Sequence, residues 1–197
     1  MANYHHGDLR AAVLAAARAA LEADDGGELS LRRLASVVGV SPNAPYRHFP
    51  TKESLLGALA AQGFGELTAR FSPYAQAADA ARMEGCLKEY LLFARENPAL
   101  YRLMFGRNLD PLSCEPQLGV QAQACFRALM AVVAQVMARP LDDPPVRANA
   151  AIVWSLSHGA ALLDIDRSMS FLAESERPNA ASLARVVLSG MEAAGAQ

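Results

Sequence analysis

Apolar residues recur along this chain every three or four positions, and nowhere do they alternate over a strand-length run. Leu9, Val13, Ala17 and Leu21 share one face of a helix predicted over about residues 7–22. Asp24-Asp25-Gly26-Gly27 then stops the helix and turns the chain. Leu31, Leu34, Ala35 and Val38 define a second, short helix. Ser30 opens it, since its hydroxyl can accept a free N–H of the first turn. Gly39 closes it, because glycine takes the left-handed conformation that a sharp turn needs. Ser41 and Pro42 read as the cap and first position of a third helix. Thr51 caps a fourth, in which Leu55, Leu56, Leu59 and Phe64 run inward to about residue 71. The same period predicts helices over about 77–96, 99–105, 117–138, 146–164 and 180–194. The expected fold is all-α with about nine helices. Residues 1–57 would be a three-helix domain and residues 58–197 a larger helical one, entered by the long fourth helix without a linker.

Two short helices joined by a tight glycine turn make a helix-turn-helix, whose second helix can enter the major groove of DNA. The charge agrees. Arg32, Arg33, Arg47 and Lys52 lie between Leu29 and Lys52, with no Asp or Glu among them. Such cations position a protein on phosphates and supply much of its affinity. Lys52 begins a helix, where a cation opposes the macrodipole, which is easier to explain if it faces a phosphate. The candidate DNA-contacting residues are Ser30, Arg32, Ser41, Asn43, Ala44, Tyr46, Arg47, His48 and Lys52. Asn43 is the candidate base reader, as its amide can pair with an adenine edge. An ordinary helical hairpin with a solvated basic face is the competing reading.

The stretch resembles the DNA-binding domain of the TetR family of bacterial transcriptional regulators. The resemblance rests on Ser30-Leu31-Arg32, Ala35, Gly39-Val40-Ser41, the aromatic run Tyr46-Arg47-His48-Phe49, and Lys52. Tyr4-His5-His6-Gly7-Asp8-Leu9-Arg10 resembles the start of many members, so the likeness covers about residues 4–65. It departs at Pro45, where the family usually has Leu, Val or Ile. Proline removes an intrahelical bond and pushes Ala44 away from helical geometry, so the third helix should begin tighter than usual.

The second half has a shorter resemblance. Residues 98–105 and Trp154-Ser155-Leu156-Ser157-His158-Gly159 look like the C-terminal domain of a TetR subgroup with a Trp-x3-His-Gly pattern. That implies ligand sensing and dimerisation, and hence a homodimeric repressor released from a palindromic DNA operator by a small, largely apolar effector. Trp154 and His158 are four apart and share a helix face. With Tyr90, Phe93, Tyr101, Met104, Phe105, Phe126 and Met130 they are the candidate ligand-binding residues, the type that lines a pocket between helices. Each of them taken singly also suits plain core. Leu183, Val187, Gly190 and Ala194 form a stripe of small and apolar residues on the last helix. The resemblance makes it a candidate dimer interface, and intramolecular core is the alternative.

Composition narrows the rest. The 197 residues carry a net charge of −2, so basic character is confined to the helix-turn-helix stretch. Cys86, Cys114 and Cys125 are widely spaced and odd in number, which indicates neither a disulfide framework nor a metal site. No cofactor is expected. There is no G-x-S-x-G, H-E-x-x-H, P-loop or G-x-G-x-x-G. Ser157 and His158 are adjacent on a helix and point about 100° apart, so they do not pair as nucleophile and base. An enzyme and a helical adaptor without DNA recognition are therefore the weaker alternatives. No N-terminal leader and no run long and uncharged enough to span a bilayer is read from the sequence, so the protein is expected in the cytoplasm, away from membranes.

Overall fold

The structure is a computed structural model that describes residues 6–23, 29–76, 81–106 and 115–195. Among the described residues it holds eight α-helices, two 3-10 turns and no strand. The helices are α1 (His6–Ala23), α2 (Leu31–Val38), α3 (Lys52–Gln76), α4 (Arg82–Glu96), α5 (Pro98–Phe105), α6 (Pro116–Met137), α7 (Pro144–Ile165) and α8 (Ala180–Gly195). The ninth expected helix, the third in the chain, is replaced by a 3-10 turn over Pro45–Arg47. The cause is Pro45. It has no N–H to give the carbonyl of Ser41, which accepts from the N–H of Ala44 at 2.9 Å instead. The N–H groups of Arg47 and His48 then bond the carbonyls of Ala44 and Pro45 at 3.3 and 3.0 Å, the three-residue spacing of a 3-10 turn.

Other prolines act differently. Pro144 and Pro145 sit in the first turn of α7, where a missing N–H leaves nothing unsatisfied, so that helix begins earlier than its apolar pattern predicts. Pro73 lies inside α3, which runs on to Gln76 with exposed Ser72 and Pro73 on its outer side. Helix α6 is long and apolar enough, by length and composition, to cross a membrane, contrary to the sequence reading. Its Leu129, Met130, Val132 and Val133 are buried within the chain while Arg127 stays exposed.

The chain divides into two compact units, residues 1–64 with 97–122 and residues 65–96 with 123–197. The expected boundary at 57/58 thus falls inside the first unit, and α3 and α6 each contribute to both. In the first unit α1 packs on α2, on the Pro45–Arg47 turn and on α5. Val13, Leu14, Leu31, Leu34, Phe49, Leu55, Leu59, Leu100 and Tyr101 make its core. At Gly63 a Cβ would come within 2.5 Å of Met104 Sδ, so a larger residue there would require the Met104 side chain to shift. In the second unit α4 packs on α7 and α8. Its buried face of Leu87, Tyr90, Leu91 and Ala94 is the one the apolar period predicts.

Candidate nucleic-acid interface

The turn between α2 and residue 45 is built from local bonds. Ser30 caps α2 by accepting the N–H of Arg33 at 3.2 Å. Gly39 adopts φ 76°, and the N–H of Val40 reaches the carbonyl of Ala35 at 2.9 Å, which closes the helix. Thr51 and Ser54 cap α3 reciprocally: the N–H of Ser54 bonds Thr51 Oγ1 at 3.1 Å and the N–H of Thr51 bonds Ser54 Oγ at 3.2 Å. Glu53, in the first turn of α3, has its carboxyl held below the usual carboxylate range by its own backbone N–H and by the Thr51 side chain.

Leu31, Leu34 and Ala35 point inward, which turns Arg32, Arg33, Ser36 and Val37 outward. Of the candidate DNA residues, Arg32, Ser41, Asn43, Tyr46 and Arg47 are exposed. Ser30, Ala44, His48 and Lys52 are half-buried. Ser30 is occupied as a cap. Pro45 is buried and does the packing work of the aliphatic residue expected there, while Phe49 is fully buried with the Arg10 guanidinium 5.3 Å above its ring. Arg33, read from the sequence as one of the phosphate-facing cations, shares the outer face with Val37, which is 68% exposed and not among the candidate residues. The i, i+4 spacing of Val37 from Arg33, beside the buried 31-34-35 set, is the signal that marks it.

The candidate ligand residues are drawn from both units. Tyr101, Met104 and Phe105 belong to the first unit, where Tyr101 and Met104 are core. There Phe105 packs edge-on to Phe64 at 5.3 Å. Tyr90, Phe93 and Met130 are core of the second unit. Tyr90 stacks on Phe71 at 6.1 Å, and Phe93 lies under the Arg70 guanidinium at 5.2 Å. Only Phe126, Trp154 and His158 are half-exposed in that unit, with the rings of Phe126 and Trp154 5.1 Å apart. Burial lowers the pKa of His158, favouring the neutral imidazole. The adjacent Ser157 hydroxyl donates to the Val153 carbonyl of its own helix at 2.6 Å.

The dimer candidates also separate. Leu183 and Val187 are buried within their own unit. The apolar period marks a buried face without saying which molecule buries it. Gly190 is exposed, and the side chain of Ala194 lies outside those described. The exposed large apolar side chains of α7 and α8 are Ile152, Leu156, Leu163 and Val186. Cys86 and Cys125 are buried, and burial raises both thiols, that of Cys125 to about 12, so neither is a thiolate at neutral pH. Cys114 and His5 lie outside the described residues.

Comparison with known proteins agrees with this geometry. Residues 13–59 match the family model described as bacterial regulatory proteins, tetR family. Residues 83–189 match the one described as tetracyclin repressor-like, C-terminal domain. The nucleoid occlusion factor SlmA of Pasteurella multocida is 35% identical over 105 residues, 51% of each chain. That of Pectobacterium carotovorum is 36% identical over 103 residues, 51% of this chain and 52% of the relative. The chain thus spans about half the length of the curated relatives it matches. A solved structure of a protein of unknown function from Rhodococcus sp. RHA1 is 30% identical, with a TM-score of 0.72 over 98% of this chain and 96% of that one. A tetR-family transcriptional regulator from Streptomyces coelicolor, 19% identical, shares the fold with a TM-score of 0.68 over 95% and 84% of the two chains.

Proposed function

The chain belongs to the TetR family of bacterial regulatory proteins, and we propose that it is a DNA-binding transcriptional regulator that acts as a homodimeric repressor of a palindromic operator, released by a small, largely apolar molecule. The observation that carries this reading is the exposed face of Arg32, Arg33, Ser41, Asn43, Tyr46 and Arg47, which contains no acid and is held by a capped helix and a left-handed glycine. The cations take phosphates, and Asn43 reads a base edge. A surface this short reads few base pairs, so two copies on successive major-groove faces, roughly 34–36 Å apart, are needed for a genomic site. Ile152 and Leu156 on α7 and Val186 on α8 offer the apolar surface for that pairing. Phe126 and Trp154, with His158 one turn further, offer an apolar, neutral contact for the effector. With chromosomal DNA as partner, the protein works in the bacterial cytoplasm.

The test is a fluorescence titration of labelled duplexes selected from genomic fragments retained by the protein. A palindrome should bind more tightly than its isolated half-site. Lys52→Ala should weaken all sequences alike and lower the salt slope by about one unit. Equal affinity for half-site and palindrome would remove the dimeric reading. A second reading, nucleoid occlusion, is favoured by the identity to SlmA. Mapping the sites bound in the cell separates the two, since a transcriptional repressor should occupy promoters.

A further inference from the structure

Apart from the nucleic-acid face and the Phe126–Trp154 pair, the second unit carries a cleft of about 370 Å³ where α7 ends. Leu163, Asp164, Arg167, Met169, Ser170 and Arg177 line it. Its size falls at the small end of ligand sites, roughly 300–1,000 Å³. Helix α7 ends as α6 does, on a left-handed residue other than glycine, which in α6 is Ala138 at φ 50°. The N–H of Arg167 bonds the Asp164 carbonyl at 3.0 Å and that of Ser168 bonds the Leu163 carbonyl at 2.9 Å, a closure whose central residue must be left-handed. That residue is Arg167, at φ 54°, where glycine would sit without strain. Of the two left-handed residues, it is Arg167 that brings a charged side chain to the wall of the cleft.

The chemistry of the wall is consistent. Arg177 donates from Nε and Nη2 to the Leu172 carbonyl at 3.3 and 3.2 Å, which fixes the plane of its guanidinium and leaves its remaining N–H groups. The side chain of Arg167 has no acceptor among the described residues. Asp164, the acid in the lining, is engaged by Arg95 Nε at 2.6 Å. Cationic character therefore prevails, and two guanidiniums suit a carboxylate, whose oxygens match their fork. Buried Met169 and the side chain of Leu163 supply an apolar wall beside it.

We propose that this cleft binds a small organic monoanion, a carboxylate with a short apolar tail, its head on Arg167 and Arg177 and its tail against Met169 and Leu163. Titration calorimetry on the full chain tests it with butanoate, hexanoate, the matching alcohols and inorganic phosphate. Hexanoate should bind saturably and more tightly than butanoate, and the alcohols and phosphate should bind at least tenfold more weakly than hexanoate. Arg167→Gly removes the guanidinium while relieving the left-handed strain, so the variant should unfold at the same or higher urea concentration. It should nevertheless bind hexanoate at least tenfold more weakly. Arg167→Asn, which also tolerates a left-handed backbone, should do the same. Unchanged hexanoate binding by these variants, hexanol or phosphate binding as tightly as hexanoate, or no saturable binding of either carboxylate would overturn the proposal.

Discussion

The carboxylate of Glu22, near the end of α1, accepts the backbone N–H of Leu100 at 2.9 Å with one oxygen and that of Ala99 at 3.1 Å with the other. Asn97 makes no capping bond to α5 from its own side chain, which instead accepts a hydrogen bond from Arg18 at 2.7 Å. The cap of α5 is thus supplied from 77 and 78 residues away in sequence, by the helix that packs on α2. An anion at a helix N-terminus is favoured by the partial positive charge there.

Glu22→Ala should therefore destabilise the protein by about 1–2 kcal/mol, the cost of a lost cap on half-buried donors. Glu22→Gln, which keeps one acceptor oxygen, should recover part of this. Urea denaturation measures both, and equal midpoints for wild type and Glu22→Ala would show that water caps α5 as well.

Pro45→Leu should supply a backbone N–H at position 45 that can bond the Ser41 carbonyl and lengthen the turn into a helix, visible as added far-ultraviolet helical signal. Because Ser41, Asn43 and Tyr46 would be re-aimed, base preference should change by about 1–3 kcal/mol at one or more positions. The salt slope should hold, since Arg32 and Arg33 stand on α2. Selection of bound fragments by both proteins reads the preference, and identical selected sites would mean that the 3-10 turn plays no part in reading bases.

His158 predicts a pH dependence. Burial lowers its pKa below the ordinary 6.5, so the unfolded chain binds this proton more readily than the folded one. Its contribution is fully present above the unfolded value and is lost as pH falls through that value toward the lower folded one. Urea midpoints between about pH 5 and 7.5 should fall on the acid side more for wild type than for His158→Gln. Parallel profiles would show that the imidazole is solvated.

Gly190→Arg tests assembly without disturbing the fold, because a Cβ at Gly190 meets nothing within 4 Å. If α8 faces a second copy, the variant should sediment as a monomer at concentrations where wild type is a dimer. Ile152→Arg should do the same through α7. A dimer of unchanged affinity in both would remove this face from the interface.

The helical period was legible wherever a helix buries one stripe, as at Leu87, Tyr90, Leu91 and Ala94. It also exposed Arg32 and Arg47 correctly, because a helix or turn that buries Leu34 or Pro45 must turn those neighbours outward. What burial cannot convey is the identity of the covering partner. Leu183 and Val187 have the period of a buried face whether the cover is α4 or another molecule. Tyr90 and Tyr101 look alike in sequence, yet they lie in different units, since assignment depends on contacts far apart along the chain. Pro45 was recognisable as a disruption, but its extent depended on whether the following residues could recover α-helical bonds, and they settled into a 3-10 turn.

The bonds that close α2 at Gly39 and open α3 at Thr51 and Ser54 are made by backbone and capping groups, and between them the chain is anchored inward by Pro45 and Phe49. The outward side chains at 41, 43, 46 and 47 take no part in that anchoring. The segment is therefore an exchangeable cassette with fixed ends. A library randomised at those four positions can search for new operator sequences on an unaltered scaffold, and a related regulator's residues can be transplanted there without redesigning the helices on either side.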